Sequence, residues 1–144
     1  MSDNFCQIVG TVTRDPELRF TTGGAAVCSF GIAWNPRRKN ANGEWEAGDP
    51  SYFSCTAWRE LGENIAASIT KGTRVIVTGQ VSTRKYEAKD GTERTSVEIN
   101  VEECSPSLRW ATAEVAKTER SGGRTGGNGG NRAPEPLYGD EEPF

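Results

Sequence analysis

Apolar and polar positions alternate with a period of two over most of the first hundred residues, the spacing of strands with one face in a core. Cys6, Ile8 and Val12 share a parity in the first run, which stops at Arg14-Asp15-Pro16. A short run from Glu17 to Phe20 precedes a Thr-Thr-Gly-Gly turn. Ala26, Cys28, Phe30 and Ile32 then alternate in a second long run. The polar stretch from Asn35 to Pro50 contains Asn42-Gly43, a strong hairpin dipeptide. Tyr52 to Trp58 forms the third strand. Val75 to Tyr86 is long, with Gly79 the expected site of a bulge. Asp90-Gly91 marks a further hairpin, and Val97, Ile99 and Val101 share one face of the run Thr95 to Glu103. Leu108 to Val115 is expected to add a strand after Pro106.

One segment breaks the rhythm. Leu61, Ile65 and Ile69 recur every four residues and Lys71-Gly72 follows, the pattern of a helix with its C-cap. Three strands, one helix and two long strands are the layout of an oligonucleotide-binding (OB) barrel. The predicted fold is therefore all-β: a five-stranded OB barrel with one α-helix between strands three and four, an extra C-terminal strand and a disordered Gly-rich acidic tail. An immunoglobulin-like sandwich is the competing all-β architecture, but it has no need of the helix.

Composition divides the chain. Residues 121–144 hold seven of the seventeen glycines and little apolar surface to offset the entropy of ordering. The expected organisation is a folded domain over 1–115, a flexible linker over 116–139 and an acidic tip over 140–144. That tip, Asp140-Glu141-Glu142-Pro143-Phe144, is more than a solubilising tail. It joins charge for steering, a proline that holds the backbone extended and an aromatic ring for a pocket.

The net charge of −3 gives no sign of a polyanionic partner. Local clusters do, since Arg37-Arg38-Lys39 and Arg84-Lys85 concentrate positive charge. Cys6, Cys28, Cys55 and Cys104 form no C-x-x-C pair and the chain has no histidine, which argues against zinc. Three of the four sit in strand-like runs, where cysteine serves as a small apolar residue. No apolar leader and no membrane-length run is present. The expected setting is a reducing cytoplasm with free thiols.

Parity sharpens the third strand. With Phe53, Cys55 and Ala57 on the core face, Tyr52 and Trp58 point outward together. On the fourth strand Gln80, Ser82, Arg84 and Tyr86 share a face. Exposed aromatics often pack on another subunit or a loop, and singly these three support either reading. Taken with the basic clusters, they favour a surface where bases stack on rings and cations follow phosphates. Trp34 shares the parity of the core but stands at a strand end. Trp45 lies in the hairpin, where it can stack or clamp the loop, and Trp110 is expected to be structural. Catalysis has no support: there is no histidine, no paired carboxylates and no phosphate loop or dinucleotide fingerprint, so neither cofactor nor small-molecule substrate is expected.

The segments VGTVTRDPELRF, AVCSFGIA and WRELGENIAASITKGTRVIVTGQVSTRKY, with the acidic Pro-Phe end, resemble the bacterial-type single-stranded DNA-binding proteins. SPSLRWATAEV is similar to the C-terminal strand extension of actinobacterial members, pointing to an actinobacterium or its phage, and so implying a nucleoid-associated cytoplasmic protein or one of the host cytoplasm. The resemblance implies an OB barrel assembled as a homotetramer, binding single-stranded DNA without sequence preference. It implies a tip (Asp140, Glu141, Glu142, Pro143, Phe144) that docks on replication, recombination and repair proteins. Tyr52, Trp58 and Tyr86 stand where the family places stacking aromatics. The candidate DNA-binding set is Trp34, Arg37, Arg38, Tyr52, Trp58, Arg84, Lys85 and Tyr86. Two positions depart from the family pattern. Arg37 replaces a frequent stacking tryptophan, and Glu142 replaces a frequent aliphatic residue before Pro-Phe. An OB adaptor whose sheet binds protein is the alternative.

Overall fold

A computed structural model describes residues 3–119, so the linker beyond and the acidic tip lie outside the described residues. The order of elements is β1 (Phe5–Val12), β2 (Glu17–Phe20), β3 (Ala26–Trp34), β4 (Arg37–Lys39), β5 (Trp45–Ala47), β6 (Ser51–Trp58), α1 (Arg59–Ser68), β7 (Arg74–Glu87) and β8 (Glu93–Pro106). A first compact unit spans Met1–Ala113.

The main sheet runs β1-β7-β8-β6-β3-β2, and β1 also pairs with β3, closing five long strands into a barrel. β1 serves both ends of the closure. Phe5 to Thr11 pair with β7, while Thr11 and Val12 pair with Ala33 and Ile32 of β3. β6 and β8 meet in parallel through Ser54–Thr56 and Glu98–Asn100; all other pairings are antiparallel. This is the OB barrel expected from the strand and helix order. The hairpin β4–β5 forms its own small sheet, with the turn at Asn42-Gly43. Asn40 organises that turn, its Oδ1 accepting from Asn42 N–H (2.9 Å) and Glu44 N–H (3.0 Å).

Alternation builds the core. Val12, Cys28, Phe30, Ile32, Cys55, Ala57, Val75, Val77, Ile99 and Val101 turn inward, and Ile65 and Ile69 plug the barrel from the helix side. Each large member contributes roughly 1.5–3 kcal/mol by burial. The helix stops at Ser68 with Ile69 already extended, so Gly72 is not its C-cap. Ile69 carries the helical spacing one residue beyond the helix because its side chain still reaches the core. Gly72 sits in the following turn, closed by Thr73 N–H to Thr70 O, and its own N–H donates to Val12 O.

The four cysteines are free. Burial is the main cause of the rise in the Cys55 thiol to about 12, with Cys104 and Cys6 nearby adding and the Arg14 charge opposing. Burial likewise raises Cys104 to about 11. Both stay protonated at neutral pH and serve as small apolar fillers.

A further expectation is corrected. Leu108 to Val115 form no strand. A strand exists only against a neighbour, and this segment finds none among the described residues. Instead Ser107 N–H donates to Arg74 O, its Oγ accepts from Arg74 Nε, and Trp110 lies 4.7 Å from the Arg74 guanidinium. Trp110 is itself largely exposed, anchored by cations rather than by a core. The bulge falls at Gly79 as expected, but its extra residue belongs to the partner strand. Thr78 pairs with Glu103 but Gly79 with Val101, so the extra residue is Glu102 on β8.

Gly79 is nevertheless what lets the strands pass. A Cβ there would meet the carbonyl oxygen of Asn100 at a separation no real side chain tolerates, and backbone cannot swing aside. Gly79→Ala is therefore expected to destabilise the fold by about 2 kcal/mol or more, as overpacking does. Urea denaturation checks this, and an unshifted midpoint would refute the role given to Gly79.

Candidate nucleic-acid interface

Strand alternation decides which side chains of β6 are available. Phe53, Cys55 and Ala57 take the inner face, leaving Tyr52, Ser54, Thr56 and Trp58 outside. Tyr52 is 65% exposed and Trp58 44%, so both rings present open faces. Six residues apart on an extended strand, their Cα atoms are about 20 Å from one another. On the β3 side, Ala33 pairs with Tyr52, Gly31 with Ser54, Ser29 with Thr56 and Val27 with Trp58. These neighbours are small, and the two rings stand above them.

Trp58 is also where the strand ends. Arg59 follows it with a left-handed φ of 61°, a conformation that costs a non-glycine residue of order 1 kcal/mol. The chain turns there directly into α1, without a side-chain cap, and the acidic Glu60 falls in the first turn where the helix dipole favours it.

The outer face continues across β8 onto β7. Ser54 pairs with Glu98 and Thr56 with Asn100; Glu98 in turn pairs with Ser82, Ser96 with Arg84 and Arg94 with Tyr86. Beyond residue 81 the two strands leave the barrel as an exposed ribbon. Its turn is tied by Asp90, which accepts from the Thr92 hydroxyl (2.6 Å) and N–H (3.0 Å); these bonds hold its carboxyl below the usual range. By register, Arg84 and Tyr86 share the outer face with Tyr52, whereas Lys85 projects from the opposite side of the ribbon.

The remaining candidates sit at the other end of β3. Trp34 follows the core parity of Phe30 and Ile32 but is 49% exposed, because the strand ends there. In the β4–β5 hairpin, Arg37 faces Ala47 and Lys39 faces Trp45, with Lys39 Nζ 5.7 Å from the ring centroid. Arg38 falls on the other face, opposite Glu46. Arg37 and Arg38 thus serve different sides of one hairpin.

Two charged residues on the outer face had no signal in the sequence. Glu98 lies between Ser54 and Ser82, and its Oε2 holds Arg84 Nε at 2.8 Å. Its outward parity follows from Val97 and Ile99, but its position beside β6 required the parallel pairing. Arg14, just after β1, lays its guanidinium over Gly31 of β3: an added Cβ there would lie 3.0 Å from one of its terminal nitrogens. Among the described residues, no group of three or more His, Cys, Asp or Glu is placed to hold a metal ion. No helix among them is long and apolar enough to cross a membrane.

Residues 3–107 match the model of the single-strand binding protein family. The single-stranded DNA-binding protein of Mycobacterium leprae is 51% identical over 122 residues, covering 84% of this chain and 73% of that protein. Its counterpart in Mycobacterium tuberculosis is 48% identical over 133 residues, covering 92% and 80%. Among solved structures, the small single-stranded DNA-binding protein of Streptomyces coelicolor superposes with a TM-score of 0.66 at 27% identity. That alignment covers 75% of this chain and 97% of the other. Barrel, outward aromatics and matches to both sequence and structure lead to one assignment: this chain belongs to the single-strand binding protein family.

Proposed function

We propose that this chain binds single-stranded DNA without sequence preference, stacking bases on Tyr52, Trp58 and Tyr86 while cations neutralise phosphates. The observation that carries the reading is the pair Tyr52 and Trp58, open rings on one face of β6 above small neighbours, in a chain of this family. Stacking is indifferent to base identity because every base has a π-face. The family is one of binding proteins, not enzymes. Arg37 and Arg84 extend the surface at its two ends and supply charge rather than sequence readout. Trp34 adds an exposed ring at the end of β3, and Arg38 and Lys85, on the far sides of hairpin and ribbon, meet DNA that wraps around them. The protein acts as a homotetramer in the cytoplasm. Its tip, Asp140 to Phe144, recruits replication, recombination and repair proteins while the barrel holds DNA.

Oligo-dT is expected to quench the tryptophan fluorescence, with affinity falling as salt rises. No quenching would favour a sheet that binds protein. Replacing Trp58 and Tyr86 together by Ala should weaken binding by roughly 2–6 kcal/mol, at about 1–3 kcal/mol per stacked base; unchanged affinity would remove the stacking assignment.

Glu98 modifies this surface. It places a carboxylate in the middle of a face proposed to meet a polyanion, and it occupies Arg84. Arg84 is 64% exposed though Glu98 only 33%, and with solvent open to the guanidinium the pair's own worth is only about 0.2–1 kcal/mol. Glu98→Gln frees Arg84 and removes a repulsion, and should tighten oligo-dT binding about two- to fivefold at low salt. Weaker binding by the variant would show that the pair positions Arg84 for DNA.

For the tip, deletion of Phe144 should leave oligo-dT affinity unchanged and abolish capture of repair and replication proteins. Pull-down with the full chain and the truncated chain decides it, and equal recovery refutes the assignment.

A further inference from the structure

We infer that Arg14, seated on Gly31, forms a phosphodiester-binding subsite on the β3 flank of the stacking surface. This rests on the reading that the outer face binds single-stranded nucleic acid, and it names the point where the backbone is gripped between the two stacked rings. Gly31 pairs with Ser54, which lies on the outer face of β6 between Tyr52 and Trp58. Any strand stacked on both rings passes Ser54. The flanks of Ser54 are opposite in charge. On the β8 side stands Glu98, paired to Ser54 in register; on the β3 side stands the Arg14 guanidinium, above Gly31. Neighbouring strands are only about 4.8 Å apart, so both lie within reach of the same backbone segment. A phosphate there meets a carboxylate already held by Arg84 on one side and an unpaired guanidinium on the other, which directs the backbone toward β3.

The seat is built rather than incidental. The carbonyl of Gly31 accepts from Thr13 N–H at 2.9 Å, and Asp15 Oδ1 accepts from Lys71 N–H at 2.8 Å. Arg14 therefore sits on a loop fastened at both sides. At position 31 a side chain would occupy the space now filled by Thr13 Oγ1 (2.7 Å from an added Cβ) and by the Arg14 guanidinium. Glycine leaves that space to them. Arg14 also differs from the other cations of the outer face. Arg84 is paired with Glu98 and Arg94 with Asp90, and each must give up a carboxylate before gaining a phosphate. Arg14 makes no ion pair with any described residue. A phosphate on it is a net gain of contact and a release of counterions.

The test compares the full-length protein with Arg14→Gln and Gly31→Val, titrating a dT oligomer of about eight nucleotides, a length one OB barrel accommodates. Tryptophan quenching is followed from low to high salt. One lost phosphate contact lowers the slope of log K against log salt by about 0.7 for a single strand. Arg14→Gln is thus expected to bind about eightfold more weakly at 50 mM salt, with the gap closing toward 1 M. Gly31→Val keeps the charge but fills the seat, displacing the stiff Thr13 side chain and the Arg14 guanidinium, and should show the same loss. Unchanged melting temperature and light-scattering mass confirm that both variants fold and assemble as the parent does. An unaltered slope in Arg14→Gln overturns the subsite. A normal slope in Gly31→Val beside a reduced one in Arg14→Gln overturns the seat, leaving Arg14 only a contributor to the general field. If the parent itself shows no salt-dependent binding, the nucleic-acid reading fails and the subsite falls with it.

Discussion

The barrel depends on one close crossing, where β7 passes β8 at Gly79 and β8 carries Glu102 as an extra residue. Before the crossing, β7 pairs with β1 on one side and β8 on the other, as a closed sheet requires. Beyond it β7 and β8 stay with the barrel through Val81 and the buried Ile99, and then continue as an exposed ribbon. The extra residue also flips parity within β8. Val97, Ile99 and Val101 face inward, yet Cys104, three positions on from Val101, packs against the same core. Without the slip, Cys104 would face solvent and its neighbour Glu103 would be driven inward, a charge buried without a partner. The crossing thus holds together the closed end of the barrel and the ribbon that leaves it.

From that closure the outer face follows almost automatically. Once Phe30, Ile32, Cys55 and Ile99 are committed to the interior, period-two geometry sends Tyr52, Trp58, Ser54 and Glu98 to the exterior. The large rings are retained outside although water contact forfeits the stabilisation that burial would bring. Small residues on β3 beside them, Ala33, Ser29 and Gly31, keep neighbouring side chains from covering the rings. The ribbon adds Tyr86 on the same side by register alone. A near-neutral chain is in this way compatible with a polyanionic ligand, because the distribution of charge decides the contact and not its sum.

Most of this architecture was legible in the chain. The alternation around Cys28–Ile32 and Phe53–Ala57 marked both inner and outer faces, and the Leu61–Ile65–Ile69 spacing located the helix. What escaped were features set by pairing between distant segments. Gly79 drew attention to the crossing, but only the partner strand shows that the extra residue is Glu102, since a glycine and the bulge it faces look alike in one dimension. The sequence Arg84-Lys85 reads as a single cluster, whereas a strand sends the two side chains to opposite sides. Arg37 and Arg38 are separated in the same way. Glu98 and Arg14 were invisible because their place beside Ser54 comes from a parallel pairing and from a loop folded over glycine. The strand expected over Leu108 to Val115 has the right residues but no neighbour among the described residues.

The arrangement of cations on the outer face has a consequence for how binding responds to salt. Counterion release scales with phosphates newly neutralised, not with basic residues present. Arg84 and Arg94 are already compensated by Glu98 and Asp90. When a phosphate displaces one of these carboxylates, the freed carboxylate takes up its own ionic atmosphere, and the net release is small. On the proposed reading an unpaired cation such as Arg14 would carry the salt-dependent part, while the aromatic rings would carry a part that salt barely touches. Lys85, on the far side of the ribbon, contributes to either only if the strand wraps around that ribbon. A face on which Arg84 and Arg94 are paired and Arg14 is not would therefore have a smaller salt response than its basic residues suggest, with stacking dominating at high ionic strength. This division is set in the sheet itself, by which cation each carboxylate faces across the ladder.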